Sequence, residues 1–230
     1  MTELVTRRFA SRAALESALE ERLAAAIALP GAALMLAGGN TPLPAYRALA
    51  ARPSLPHGAQ LRVLFSDDRY VPADSPASNY HQVQPLLAAL APPPAAVLRV
   101  RTELPLEDAA GDYERQLAAL LRSGTRIGLG ILGLGADGHT ASLFGAADLE
   151  RARGHLAIPV QRPDGMSAVS VTPELLAQVA EPLFVVAGED KRDAVRRLLA
   201  HDPALTAWRA VAGCARAELW LDAAAAGLYS

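Results

Sequence analysis

Asp137 and His139 stand two residues apart in the stretch GLGADGHTASLF, Gly133 to Phe144. A carboxylate near an imidazole suits proton transfer, because the imidazole titrates near neutral pH and can serve as a general base. Gly138 between them lets the backbone turn sharply. The same stretch spells G-x-G-x-x-G through Gly133, Gly135 and Gly138, the pattern of a dinucleotide-binding turn. Three features argue against that reading. The motif lies in mid-chain, its third glycine is followed by His-Thr rather than a small apolar residue, and no second strand ends in an acidic residue about 20 positions on. Gly128, Gly130 and Gly133 match the pattern equally, so a glycine-rich strand produces it cheaply. Ser142 lacks the G-x-S-x-G setting of an activated nucleophile.

Two further polar loops follow apolar runs. Gly38, Gly39, Asn40 and Thr41 precede a helix opened by Pro42. Such a loop fits a phosphate cradle, with backbone N–H groups and a helix N-terminus facing an anion. It fits a tight strand–helix turn with an Asn/Thr cap equally well. No G-K-[ST] follows, which argues against a nucleoside triphosphate. Asp67, Asp68 and Arg69 come directly after the run 61–66. A carboxylate beside a guanidinium stays ionised and can position a water, orient a histidine or contact sugar hydroxyls. A charged surface turn has the same composition. Lys191, in AGEDKRDAV, falls in the first turn of an expected helix, where a cation is unfavourable. That suits either a solvated surface or an anionic ligand.

The elements that must carry these loops alternate. Ser11 caps a helix with the stripe Leu15, Leu19, Leu23 and Ile27, stopped by Pro30-Gly31. Strands are expected over 32–37, 61–66, 97–100, 127–135, 156–160, 167–171, 183–188 and 217–222. Helices are expected over 42–51, 78–90, 106–121 and 189–200. Strand–helix alternation predicts parallel βαβ units, with the polar loops gathered at the carboxyl ends of the strands. One domain spanning 1–230 is expected, with room for a small subdomain near 145–180.

The 230 residues are 51% hydrophobic and 20% charged, with a formal net charge of −2. That balance gives no electrostatic footprint for nucleic acid or an anionic membrane. A lone cysteine, Cys214, cannot form an internal disulfide, which fits a reducing compartment. The five histidines (His57, His81, His139, His155, His201) are scattered, without zinc-site spacing. The N-terminus lacks an apolar signal core, and no run approaches the length of about 18 apolar residues that a membrane helix needs. The expectation is a cytoplasmic protein, a monomer or weak homo-oligomer.

Taken together, LAGGNTP, DDRYVPADSPASNY, ILGLGADGHTASLF and VVAGEDK, in this order and at these intervals, strongly resemble the 6-phosphogluconolactonases. DGHTASLF is the most specific part. The glucosamine-6-phosphate deaminases share the GG-[ST]-P loop and D-G-H but continue I-A-F-N-E, whereas this chain continues T-A-S-L-F. The resemblance implies a Rossmann-like α/β sandwich of the deaminase/lactonase type, without a nucleotide. It implies hydrolysis of 6-phospho-D-glucono-1,5-lactone in the pentose phosphate pathway, with no metal or organic cofactor. Carried over by position, His139 is the general base, supported by Asp137 and Arg69. Arg69 is expected to hold Asp137 or Asp67 ionised. Gly38, Gly39, Asn40, Thr41, Asp67, Asp68 and Lys191 are expected at the substrate, and backbone N–H groups of the glycine loops are candidate oxyanion donors.

The chain departs from the pattern at several positions. Asp68 stands where Glu is usual, and Gly145 where Pro often follows S-L-F. Ala168 stands where the pattern carries an arginine before its V/I-[ST]-L-[ST] strand, a position expected to meet the phosphate. Arg162 lies nearby in sequence. Two competing activities share the fold. One is an amino-sugar-phosphate isomerase or deaminase using Asp67 or Asp68 as base. The other is a sugar-phosphate-binding protein without turnover.

Overall fold

The computed structural model describes residues 2–31, 33–55 and 60–227; His57 lies outside them. In chain order the elements are β1 (Glu3–Arg8), α1 (Arg12–Ile27), β2 (Ala33–Leu36), α2 (Leu43–Ala50), β3 (Arg62–Phe65), β4 (Asp67–Arg69), α3 (Asn79–Leu90), α4 (Leu106–Arg122), β5 (Ile127–Leu132), α5 (Ala146–Arg151), β6 (Ala157–Gln161), β7 (Ser167–Val171), α6 (Pro173–Leu176), β8 (Val179–Val186), α7 (Arg192–Leu199), α8 (Thr206–Val211) and β9 (Arg216–Leu221). Short 3-10 turns cover Pro94–Ala96 and Glu189–Lys191.

Six strands form one sheet in the order β1-β9-β8-β5-β2-β3, every pair parallel. Continuous apolar runs such as ALML suit strands covered on both faces. Alternation along β2 divides its side chains between two cores. Ala33 and Met35 join the core beneath α4 and the small sheet, and Leu34 and Leu36 join the core beneath α1, α2 and α3. Helix α1 forms as its stripe predicts. Ser11 Oγ accepts from the Ala14 N–H at 3.1 Å, and Leu15, Leu19, Leu23 and Ile27 are fully buried.

A second, antiparallel sheet in the order β4-β7-β6 lies beside the first. Here the structure corrects several expectations. Asp67–Arg69 is not a charged turn but a strand paired with Ala168–Ser170. Residues 97–100 do not form a strand. They lie beyond edge strand β3, follow a proline run, and touch the sheet through Val97 opposite Val63 and the Leu98 N–H to Val63 O bond of 2.8 Å. The polar, partly exposed segment Glu3–Arg8 is an edge strand that its composition does not announce. Strand β8 starts four residues before the expected 183, at Val179. The segment after it opens as a 3-10 turn, so Lys191 precedes α7 rather than sitting inside it.

The loops after β2, β3, β5 and β8 gather at the carboxyl edge of the large sheet and open into one cavity there.

Candidate active site

The cavity has a volume of about 430 Å³ and is lined from all four loops. Gly38, Gly39, Asn40 and Thr41 come from the loop after β2, Asp67 and Arg69 from β4, His139 from the loop after β5, and Lys191 from the loop after β8.

The His139 loop folds back on itself. The Gly135 N–H donates to His139 O at 2.9 Å, and the Gly138 N–H to Gly135 O at 3.0 Å. Gly138 has φ +87°, and a side chain there would also strike Leu205. No helix begins at Gly138; the next, α5, starts at Ala146. The glycine pattern therefore builds a turn that presents a side chain, not the strand-to-helix turn of a dinucleotide site. His139 Nδ1 lies 2.5 Å from Asp137 Oδ1, which also accepts the His139 backbone N–H at 3.2 Å. Burial pushes the Asp137 carboxyl upward, but these bonds from His139 outweigh it and hold the group below its usual range. An ionised carboxylate accepts, so Nδ1 carries the proton and Nε2 offers its lone pair. Gly135 makes this pairing sterically feasible: a Cβ there would fall 2.1 Å from His139 Nδ1 and 2.4 Å from Asp137 Oδ1. Phe144 packs against the imidazole, its ring centroid 4.5 Å away.

Asp67 and Asp68, adjacent on β4, point to opposite faces. Asp67 lines the cavity. Its Oδ1 accepts from Ser66 Oγ at 2.8 Å, and its Oδ2 from Ser142 Oγ at 2.7 Å. Ser142 is thus a buried ligand of Asp67. Asp68 is not at the cavity. It accepts the Asn79 N–H at 2.6 Å, Ser78 Oγ at 3.1 Å and the Tyr80 N–H at 3.2 Å, holding the start of α3. Burial lifts its pKa from 3.8 to about 6 against those hydrogen bonds, with the neighbouring Asp67 charge adding to the rise. The expected contact between Asp68 and substrate is therefore corrected: this carboxylate is committed to a helix N-terminus.

Arg69 does line the cavity, but it holds neither Asp137 nor Asp67. Its Nη1 donates to Ala77 O at 3.0 Å and Asn79 Oδ1 at 2.9 Å, because the segment leading into α3 supplies the nearer oxygens. Its buried Nε has no hydrogen-bond partner among the described residues. Gly38 permits this arrangement, since a Cβ there would fall 2.0 Å from Asn79 Oδ1. The glycine N–H groups expected to serve as oxyanion donors are largely engaged: Gly39 donates to Gln82 Oε1 at 3.1 Å, and Gly135 and Gly138 bond within their own loop. Lys191 Nζ pairs with Asp190 at 3.1 Å on the cavity wall.

The sequence reading missed Arg12, which donates to Asn40 O at 2.7 Å and pairs with Glu16 at 2.8 Å while facing the cavity. The signal existed: an arginine directly after the N-cap Ser11 opposes the helix dipole, as Lys191 was expected to do. Arg162 enters the cavity from the β6–β7 hairpin, held by Asp164 at 2.9 Å. Among the described residues, no group of three or more His, Cys, Asp or Glu side chains is arranged to hold a metal ion. No described helix is long and apolar enough to cross a membrane.

The sequence pattern of the family described as glucosamine-6-phosphate isomerases/6-phosphogluconolactonase matches residues 7–220. The chain belongs to this family. It is 36% identical over 175 residues to a 6-phosphogluconolactonase of Thermotoga maritima, covering 74% of this chain and 76% of that one. It is 35% identical over 211 residues to a 6-phosphogluconolactonase of Rattus norvegicus, covering 86% of this chain and 80% of that one. A crystal structure of the Thermotoga maritima 6-phosphogluconolactonase superposes with a TM-score of 0.80 at 28% identity, over 96% of this chain and all of that one. The matched span takes in every loop that lines the cavity, from Arg12 to Lys191.

Proposed function

We propose that this protein hydrolyses 6-phospho-D-glucono-1,5-lactone to 6-phospho-D-gluconate, in the oxidative pentose phosphate pathway. The observation that carries the reading is the Asp137–His139 pair at 2.5 Å, with the ring on the wall of a cavity that four cationic side chains reach. The lactonase relatives, one of them 36% identical, support it.

The chemistry is modest, because a lactone carbonyl is already electrophilic. Neutral His139 accepts a proton at Nε2 as a water oxygen bonds to C1. Asp137 keeps Nδ1 protonated and stabilises the imidazolium as it forms. The tetrahedral oxyanion needs positive potential. Arg69 is suited to provide it, as it lines the cavity and its Nη1 donates to the neutral oxygens of Ala77 and Asn79. The C1–ring oxygen bond then breaks, and the imidazolium returns its proton to the departing oxygen. Water is the sole co-reactant, and no atom changes oxidation state. Binding of the phosphate, remote from C1, orients the ring for attack. Asn40, Thr41, Gly39 and Lys191 are suited to that end of the substrate.

An isomerase or deaminase reading needs a free carboxylate base. Asp68 is committed to α3, and Asp67 has both oxygens bonded by serine hydroxyls. The lactonase reading is tested by following loss of freshly generated lactone with wild type and with His139→Ala. Ammonia release from glucosamine 6-phosphate would reveal the competing activity.

A further inference from the structure

Of the cationic side chains at the cavity, Arg162 arrives by an unusual route. It lies just beyond the end of β6, and its backbone N–H donates to Met166 O at 2.8 Å across the hairpin. The register of the small sheet sets three rows on one face: Arg162 with Met166, Val160 with Ala168 and Arg69, and Ile158 with Ser170 and Asp67. Side chains two apart on a strand share a face, and successive rows lie about 7 Å apart. Arg162 Nη1 lies 3.4 Å from Ser142 Oγ, the hydroxyl that bonds Asp67 in the third row. The arginine side chain therefore leans back across the middle row. Ala168 occupies that row with only a methyl group, fully buried. A long side chain at 168 would compete for the same path.

The guanidinium is also preorganised. It packs over the Phe144 ring at 5.3 Å, and Asp164 takes its Nε and Nη2 protons, the latter at 2.9 Å. Of five N–H donors on an arginine, these bonds and the long one to Ser142 engage three, which leaves two. Phe144 stands between Arg162 and His139, since its ring packs against both. The charge is thus one aromatic ring removed from the base.

We infer that Arg162 contacts the phosphate of the substrate, reaching it from the β6–β7 hairpin over the small residue Ala168, with Asp164 as its positioning partner. This rests on the lactonase reading for the identity of the substrate. The route follows from the register and the side-chain contacts. A guanidinium binds phosphate through paired N–H groups, which an ammonium does not reproduce.

The test combines kinetics with direct binding. Arg162→Ala is expected to raise KM for 6-phosphogluconolactone about 10- to 100-fold, the scale of a hydrogen bond to a charged group, with KM rather than kcat carrying the loss. Calorimetric affinity for inorganic phosphate should fall in step. Arg162→Lys, which keeps the charge and guards against a folding defect, should show a smaller loss. In the double variant Arg162→Ala/Ala168→Arg, the new guanidinium enters from the middle row and should recover part of both. Unchanged KM and phosphate affinity would overturn the inference. So would a fall in kcat alone, which would mean that Arg162 acts on His139 through Phe144. If wild type turned over no lactone, the lactonase reading would fail, while phosphate affinities of wild type and variant would still decide the role of Arg162.

Discussion

Asp137 Oδ1 sits 2.5 Å from Nδ1 of His139, on a loop closed by the Gly135 N–H to His139 O bond. One carboxylate thereby fixes the tautomer and the ring plane. Asp137→Asn keeps the shape but presents an amide that can hold the wrong tautomer. Its kcat should fall toward about 10³–10⁴-fold, the scale seen when a histidine base loses its orienting carboxylate. KM should change little. Steady-state kinetics on the fresh lactone check this, and an Asn variant with wild-type kcat would remove Asp137 from the mechanism.

Gly135 is a steric requirement of the same pair. In Gly135→Ala the added methyl meets His139 Nδ1 at 2.1 Å, so the imidazole must swing away. A displacement of about 1 Å can cost about 10²-fold in rate. The expected outcome is a folded protein with kcat reduced on that order, read by circular dichroism alongside turnover. Full activity would show that the ring tolerates another position.

Tyr113 couples helix α4 to the strand that leads into the site. Its hydroxyl donates to Phe65 O at 2.5 Å and accepts the Phe65 N–H at 2.9 Å, with the ring fully buried. Tyr113→Phe leaves both backbone groups without that partner in the core. Unfolding free energy in urea should drop by about 1–3 kcal/mol. A drop below about 0.5 kcal/mol would mean that β3 is held by its ladder alone.

Asp68 makes stability depend on pH in a direction opposite to a salt-bridged carboxylate. Burial raises its pKa in the folded chain to about 6 from 3.8. Between those values the folded chain binds more protons than the unfolded one. The contribution is complete below about pH 4, is lost as pH rises through about 6, and is flat above that. Its size is on the order of 3 kcal/mol. Asp68→Asn should remove this slope, so the unfolding free energy of wild type should fall relative to that of the variant as pH rises from about 4 to about 6, and the two profiles should run parallel above that. Parallel profiles throughout would refute the shift.

What the sequence disclosed was local. The stripe Leu15, Leu19, Leu23 and Ile27 recurs at helical spacing, and Ser11 marks its start, so α1 could be read directly. Asp137 and His139 are two residues apart, so their pairing was legible too. The failures involve distant partners or weak composition. Edge strand β1 reads as polar because an edge carries charge. DDR becomes β4 through pairing with β7, about a hundred residues away in sequence. VLRV has strand composition but no neighbour strand beyond β3 to complete it. In the site, the bonds from Ser142 to Asp67, Arg12 to Asn40 and Arg69 to Asn79 each depend on tertiary placement. The division of roles between the two adjacent aspartates is likewise visible once β4 alternates them across its faces.

The central claim is that His139 is a general base for lactone opening. The measurement that tests it most directly is the disappearance of 6-phosphogluconolactone, generated in situ from glucose 6-phosphate, against the spontaneous rate. Wild type should accelerate it, and His139→Ala, folded and of unchanged thermal stability, should lose about 10²–10⁴-fold of that acceleration. An alanine variant that kept pace with wild type would contradict the account.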